Sequence, residues 1–314
     1  MTFQTSRRRF LTMAAACVAL PAMATTTLPV ATWRGTALGA GALLRLVGLS
    51  DEEARDTFTA VEEELTRLEA IFSLHKADSY LSRLNRAGSL PVPPYEMLEL
   101  LSLAGAVHAS TNGAFDPTIQ PLWTLYAQTR GRQPGKGILS AALTRTGWTN
   151  VRIAPSEIAF ARPGMALTLN GIAQGYITDR VAGLLRGRGF SNVLVDMGEI
   201  VGLGQRADGN AWRAGVSAPD GRIVHRTTLS DRALATSSPM GTLFGDGNVG
   251  HIIDPKRGAP TAVRDLVSLS ADSAALADAL STAFCVMDDA EIAAALEVHP
   301  TAQLEVVRKR VHMA

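Results

Sequence analysis

This chain sets a few long stretches with helical spacing among many short apolar runs closed by Gly, Pro, Asn or Asp, and that imbalance narrows its fold more than any motif does. Phe58, Val61, Leu65, Leu68 and Phe72 recur at intervals of three and four, so residues 51–72 are predicted as a helix with acidic residues near its start. Residues 95–111 form a second, stopped by Asn112-Gly113. Further helices are predicted over 176–187, 273–287 (capped by Asp272 or Ser273) and 290–297. Strands are predicted at 192–196, 212–217, 223–229, 250–253, 266–270 and 302–307, with a hairpin over 151–162 turning at Pro155-Ser156. Residues 78–87 read as a polar loop with a short helical turn, and 128–141, rich in Gly, Pro and Gln, as a mobile loop. Short strands gathered between a few long helices favour an α+β fold over a βαβ array.

The N-terminus reads as an address. Ser6-Arg7-Arg8-Arg9-Phe10-Leu11 is a twin-arginine pattern, followed by an apolar run to Leu20 and small residues at Ala22-Met23-Ala24. That run is shorter than the roughly 20 residues a bilayer span needs. Residues 1–24 are expected to be an export signal, and 25–314 a mature protein of the bacterial periplasm, one domain or two intimate lobes. The small-residue box before Cys17 lacks the usual leucine, which disfavours a lipid anchor there. After cleavage Cys285 is the cysteine that remains, which excludes an intrachain disulfide and a Cys-based metal cluster. Its neighbours Ala283, Phe284 and Val286 point to a buried, inert thiol. Without Arg7, Arg8 and Arg9 the 30 basic residues fall to 27 against 29 acidic ones. There is no basic tract, and nucleic-acid binding has no support.

Several fragments carry chemistry. In Leu169-Asn170-Gly171-Ile172-Ala173-Gln174-Gly175-Tyr176, an apolar run ends in a Gly-x-x-x-Gly pair at the start of an amphipathic segment. Glycine permits close backbone approach, and free N–H groups at a helix start favour an anion such as phosphate. The spacing is not the Gly-x-Gly-x-x-Gly of a dinucleotide fold. Asp278 and Thr282, at i and i+4, share a helix face opposite Leu276, Leu280, Phe284 and Met287. A carboxylate beside a hydroxyl suits Mg²⁺, although such a pair is usually the solvated side of an amphipathic helix. In Gly250-His251-Ile252-Ile253-Asp254-Pro255, the histidine can accept a proton near neutral pH. Polar residues interrupt apolar ones at helix ends in Leu81-Ser82-Arg83-Leu84-Asn85 and in Ala114-Phe115-Asp116-Pro117-Thr118.

Taken in this order, these fragments resemble the ApbE-type flavin transferases, the FAD:protein FMN transferases, over nearly all of the mature chain. The resemblance implies a T-fold-related α+β architecture with mixed or antiparallel sheets and packed helices. It implies Mg²⁺-dependent transfer of FMN from FAD to a threonine hydroxyl of a target flavoprotein, with release of AMP. Carried onto this chain, Gly171 (through its backbone), Asp278 and Thr282 would hold Mg²⁺, and His251 would be the base. Leu38, His75, Ala114, Phe115, Asp116, Thr168, Gln174 and Ile252 would contact FAD. Thr168 stands where relatives carry Asp, Gln174 where they carry Lys or Glu, Leu38 where Met is common and His75 where Tyr is common. These departures resemble a branch tied to respiratory nitrous-oxide reduction (NosX-like), so the expected acceptor is a periplasmic or membrane-anchored flavoprotein of such a system. The same residues would also serve an Mg²⁺-dependent FAD pyrophosphatase, or a flavin-binding module without turnover.

Overall fold

A computed structural model describes residues 28–245 and 249–309; the predicted signal and Cys17 lie outside the described residues. The chain opens with a hairpin, β1 (Val30–Ala37) and β2 (Ala40–Val47), and continues through α1 (Arg55–Phe72), α2 (Tyr80–Ala87), β3 (Ser89–Pro91) and α3 (Tyr95–Ser110). Then come α4 (Gln120–Gln128), α5 (Lys136–Leu143), β4 (Val151–Ala154), β5 (Glu157–Phe160) and α6 (Ala173–Gly187). Four sheet strands and a hairpin follow: β6 (Val193–Asp196), β7 (Ile200–Leu203), β8 (Trp212–Ser217), β9 (Ile223–Leu229), β10 (Arg232–Ser237) and β11 (Arg264–Ala271). The chain ends in α7 (Ala274–Phe284), α8 (Asp289–Val298) and β12 (Gln303–Lys309).

The main sheet has seven strands in the order β1-β2-β6-β7-β10-β11-β12. Every pairing in it is antiparallel, so the fold is α+β with antiparallel rather than mixed sheets. Alternation along β10 divides its sides. Ala233 and Ala235 join the large core under α6 and α7, while Leu234 joins a second cluster with Trp212, Val216, Leu229 and Leu266 beneath the β8–β9 hairpin. The sheet is thus covered on both faces, by helices on one and a two-stranded ribbon on the other. α7 packs on β10 and β11 with α6 and α3 against its other sides. Leu68, Leu100, Leu101 and Leu280 are fully buried in the larger core. Each such side chain contributes about 1.5–3 kcal/mol over its exposed state.

Four readings differ. Residues 78–87 are mostly helix rather than loop, because the Ser79 hydroxyl caps α2 by accepting from the Ser82 N–H and Leu81 and Leu84 are buried. Residues 128–141 hold no long loop, because Gly135 caps α5, which sends Ala142 and Leu143 against Tyr126 and Phe244. Residues 250–253 form no strand. Gly250 makes an isolated bridge to Leu243, and a Cβ on it would lie 2.3 Å from the Pro239 carbonyl oxygen. The run is apolar because it is packed, not because it pairs. The face of α7 that carries Asp278 is not solvated: Asp278 is 4% exposed, since the sheet and α6 together enclose the helix.

Candidate active site

The contact between α6 and α7 begins in the glycine motif. A Cβ on Gly175 would lie 2.3 Å from the Ala274 carbonyl oxygen and 2.7 Å from Ala275 Cα, so only glycine lets the two backbones meet. Asp179, one turn further along α6, clamps the start of α7. Its carboxylate accepts from the Ala274 N–H (2.8 Å), the Ala275 N–H (3.0 Å) and the Ser273 hydroxyl (2.8 Å). These are the donors a helix start leaves unpaired, and a carboxylate there also meets the positive end of the helix dipole. Ser273 itself caps the helix, as the sequence suggested. At the start of α6, the Gly175 N–H donates to Asp278 Oδ2 at 3.2 Å, so a side chain of the protein takes an amide that the motif had suggested for a phosphate.

Beyond this contact lies a cavity of about 370 Å³. Phe115, Pro117, Ile119 and Trp123 form its apolar side; Thr236, Ser237, Ser238, Asp278 and Thr282 form its polar floor. Gly171 sits directly on Thr282, where a Cβ would lie 2.9 Å from Oγ1. Glu199 also lines the cavity, held by the Thr236 N–H donating to its Oε2 at 3.2 Å. Burial pushes the Glu199 carboxyl well above its ordinary range, and the nearby Asp278 charge pushes further. Burial likewise raises Asp278, with the Gly175 N–H pulling the other way. No Lys or Arg is among the residues lining the cavity, so these acids have no cationic side chain there to neutralise them. Two carboxylates, a hydroxyl and the Gly171 backbone make a hard-oxygen donor set that fits Mg²⁺. Among the described residues no cluster of three His, Cys, Asp or Glu side chains gathers as a metal centre, so a hydroxyl and a carbonyl must complete any such site.

His251 lines the cavity from the loop that follows Val249. Its Nδ1 lies 3.2 Å from the Pro239 carbonyl oxygen and 3.2 Å from that of Thr242. Carbonyl oxygens only accept, so Nδ1 carries the hydrogen and Nε2 keeps its lone pair. Burial lowers the histidine's pKa, which keeps the ring neutral at pH 7.

The structure brings Ala114, Phe115, Asp116, Thr168, Gly171, Gln174, His251, Ile252, Asp278 and Thr282 onto this one cavity. Leu38 and His75 are not among its lining residues. They stand at the C-terminal end of α1, where Glu69 accepts from the Leu38 N–H (3.0 Å) and pairs with Lys76 (2.8 Å). Leu38 occupies the tight β1–β2 turn with φ +48°, a conformation that such a hairpin demands of whatever residue sits there. The Leu81–Asn85 fragment acts by support. Asn85 accepts from the Leu167 N–H (2.7 Å) and donates to its carbonyl (2.8 Å), which fixes the segment leading to Gly171. Asp116 accepts from the N–H and hydroxyl of Thr118, an Asx turn that shapes the apolar wall. Glu199 and Ser237 are site residues the sequence reading missed. The Gly198 before Glu199 was the available signal: it takes φ +106°, and a Cβ on it would lie 2.7 Å from Gln174 Nε2.

Comparison with known proteins gives one answer. The ApbE family model matches residues 38–307. The FAD:protein FMN transferase of Treponema pallidum (strain Nichols) is 31% identical over 290 residues, covering 83% of this chain and 80% of that protein. The enzyme of the same name from Klebsiella pneumoniae (strain 342) is 28% identical over 271 residues, 81% of this chain and 77% of its own. The crystal structure of the ApbE protein from Thermotoga maritima superposes with a TM-score of 0.78 at 27% identity, covering 89% of this chain and 96% of that one.

Proposed function

This chain belongs to the ApbE family and is an FAD:protein FMN transferase, and from that premise we propose how its cavity performs the transfer. The observation that carries the reading is that His251 lines the same cavity as Asp278, Thr282 and Gly171, with Nδ1 held by two backbone carbonyls so that Nε2 keeps its lone pair.

FAD enters as substrate, with its flavin half against the apolar side formed by Phe115, Ile119 and Trp123 and its pyrophosphate toward the polar floor. The hydroxyl oxygen of an acceptor threonine attacks the phosphorus of the FMN half. The bond from that phosphorus to the bridging oxygen breaks, and AMP leaves with that oxygen. The hydroxyl proton passes to His251 Nε2; a free threonine hydroxyl is a weak nucleophile and needs such a base. Asp278, Thr282 and the Gly171 backbone would hold Mg²⁺, which when bound offsets phosphate charge and steadies the leaving group. Among the described residues that line the cavity there is no Lys or Arg to offset that charge instead. Leu38 and His75 would reach FAD only where it extends past this cavity, toward the end of α1.

Purified protein incubated with FAD, Mg²⁺ and a candidate acceptor is expected to leave the acceptor fluorescent in a denaturing gel. A dark acceptor with accumulating AMP would replace transfer by FAD hydrolysis. The twin-arginine pattern supports export to the periplasm and an acceptor there, including the flavoproteins of a nitrous-oxide-reducing system. Changing Arg7 and Arg8 to Lys is expected to retain the protein in the cytoplasm, as read by cell fractionation.

A further inference from the structure

Three hydroxyls join β10 to α7 at the cavity floor, and their donors can be assigned by elimination. The Ser281 hydroxyl donates to the Asp278 carbonyl at 2.9 Å, which uses its one hydrogen. At the 2.7 Å contact between Ser237 Oγ and Ser281 Oγ, Ser281 can therefore only accept, and Ser237 donates. That uses the Ser237 hydrogen. At the 3.2 Å contact between Ser237 Oγ and Thr282 Oγ1, Ser237 accepts and Thr282 donates. The chain runs one way, from Thr282 to Ser237 to Ser281 to the Asp278 main chain. Its consequence falls on Thr282: the hydroxyl hydrogen is committed to Ser237, and the oxygen lone pairs are left for whatever lies in the cavity.

We propose that Ser237 is a positioning residue that holds the Thr282 hydroxyl as a pure acceptor lining the cavity, the state in which it can ligate a divalent cation. This rests on the reading of Asp278 and Thr282 as cation ligands. A hydroxyl free to rotate would spend part of its time with its hydrogen toward the cation, which repels it. The strand register makes the arrangement possible. Ser237 follows Ala233 and Ala235 on the helix-facing side of β10, at the end of the strand paired with β11. The Asp278 carbonyl that ends the chain belongs to the other ligand residue, so one network ties both ligands to the strand.

The test is titration of the purified protein with Mg²⁺ alone, by calorimetry, alongside the Mg²⁺ concentration for half-maximal flavin transfer. Ser237→Ala is expected to weaken Mg²⁺ binding roughly tenfold, the low end of what loss of a supporting contact costs a metal site. The half-saturating Mg²⁺ for transfer should rise by the same factor, and Ser237→Thr, which keeps the hydroxyl, should restore both. Ser281→Ala frees the Ser237 hydrogen to turn toward Thr282 and should give a smaller loss in the same direction. This second variant serves if Ser237→Ala proves too unstable to purify. If Ser237→Ala and Ser281→Ala bind Mg²⁺ as the parent does while Thr282→Ala does not, the positioning role is overturned and the ligand assignment survives. If Asp278→Asn and Thr282→Ala also bind as the parent does, the ligand assignment itself falls.

Discussion

At the scale of single residues, His251 and Asp278 illustrate how burial sets chemistry. Desolvation lowers the His251 pKa below its ordinary 6.5, and two carbonyls hold its hydrogen on Nδ1. The base form is therefore lost only when acid protonates Nε2. The rate constant kcat/KM for transfer is expected to fall on acidification with a midpoint below 6.5. His251→Ala should remove that acid limb and slow transfer by about 10²–10⁴-fold, the usual worth of a general base. A midpoint above 6.5 would transfer the role to another group. Asp278 is buried with another acid, Glu199, on the same cavity, and its carboxylate accepts from the Gly175 N–H. Asp278→Asn keeps an oxygen for that bond and removes the charge. It should abolish Mg²⁺-dependent transfer while leaving the melting temperature unchanged or higher. A large drop in melting temperature would mean that the carboxylate serves the fold instead.

At the scale of elements, α6 and α7 act as one unit, and the joint is Gly175. A methyl group there would meet backbone atoms of α7, which cannot move aside as a side chain can. Gly175→Ala is expected to cost about 3 kcal/mol in denaturant unfolding, near the top of the usual range for overpacking. It should also lower Mg²⁺ affinity, because the displaced α7 carries Asp278 and Thr282. A variant as stable as the parent would show the contact to be slack. The sequence had presented this glycine as an opening for a ligand. The fold uses it for helix contact, and the part of the motif that lines the cavity is Asn170, Gly171 and Gln174, with Thr168 just before it. Asp179 extends the same joint by one turn of α6 through its three bonds to the start of α7.

At the scale of the whole molecule, the cavity is walled by segments from residue 114 to residue 282, so a ligand in it ties distant parts of the chain together. Mg²⁺ at about 100 times its dissociation constant should stabilise the folded protein by about 2.7 kcal/mol, seen as a rise in melting temperature that Asp278→Asn lacks. An equal rise in both proteins would place the ion elsewhere. The sequence by itself determined the α+β class, the long helices α1, α3 and α7 and the 151–162 hairpin, because periodicity is a local property; it singled out His251, Asp278 and Thr282 only through the family resemblance of their short motifs, and the structure places all three on one cavity. The sequence did not reveal β1, β2, β3, β7 or β10, which are short or interrupted by Ala and Gly and gain strand character from the neighbours they pair with. Nor could it show that the Asp278 side of α7 is enclosed, that Asn85 supports the Gly171 segment from 82 residues away, or that Ser237 meets Thr282. Those facts depend on which strand edges and helix faces come together, and only the tertiary structure decides that, because the burial that excludes water and fixes each hydrogen is a property of the packed assembly and not of any one segment.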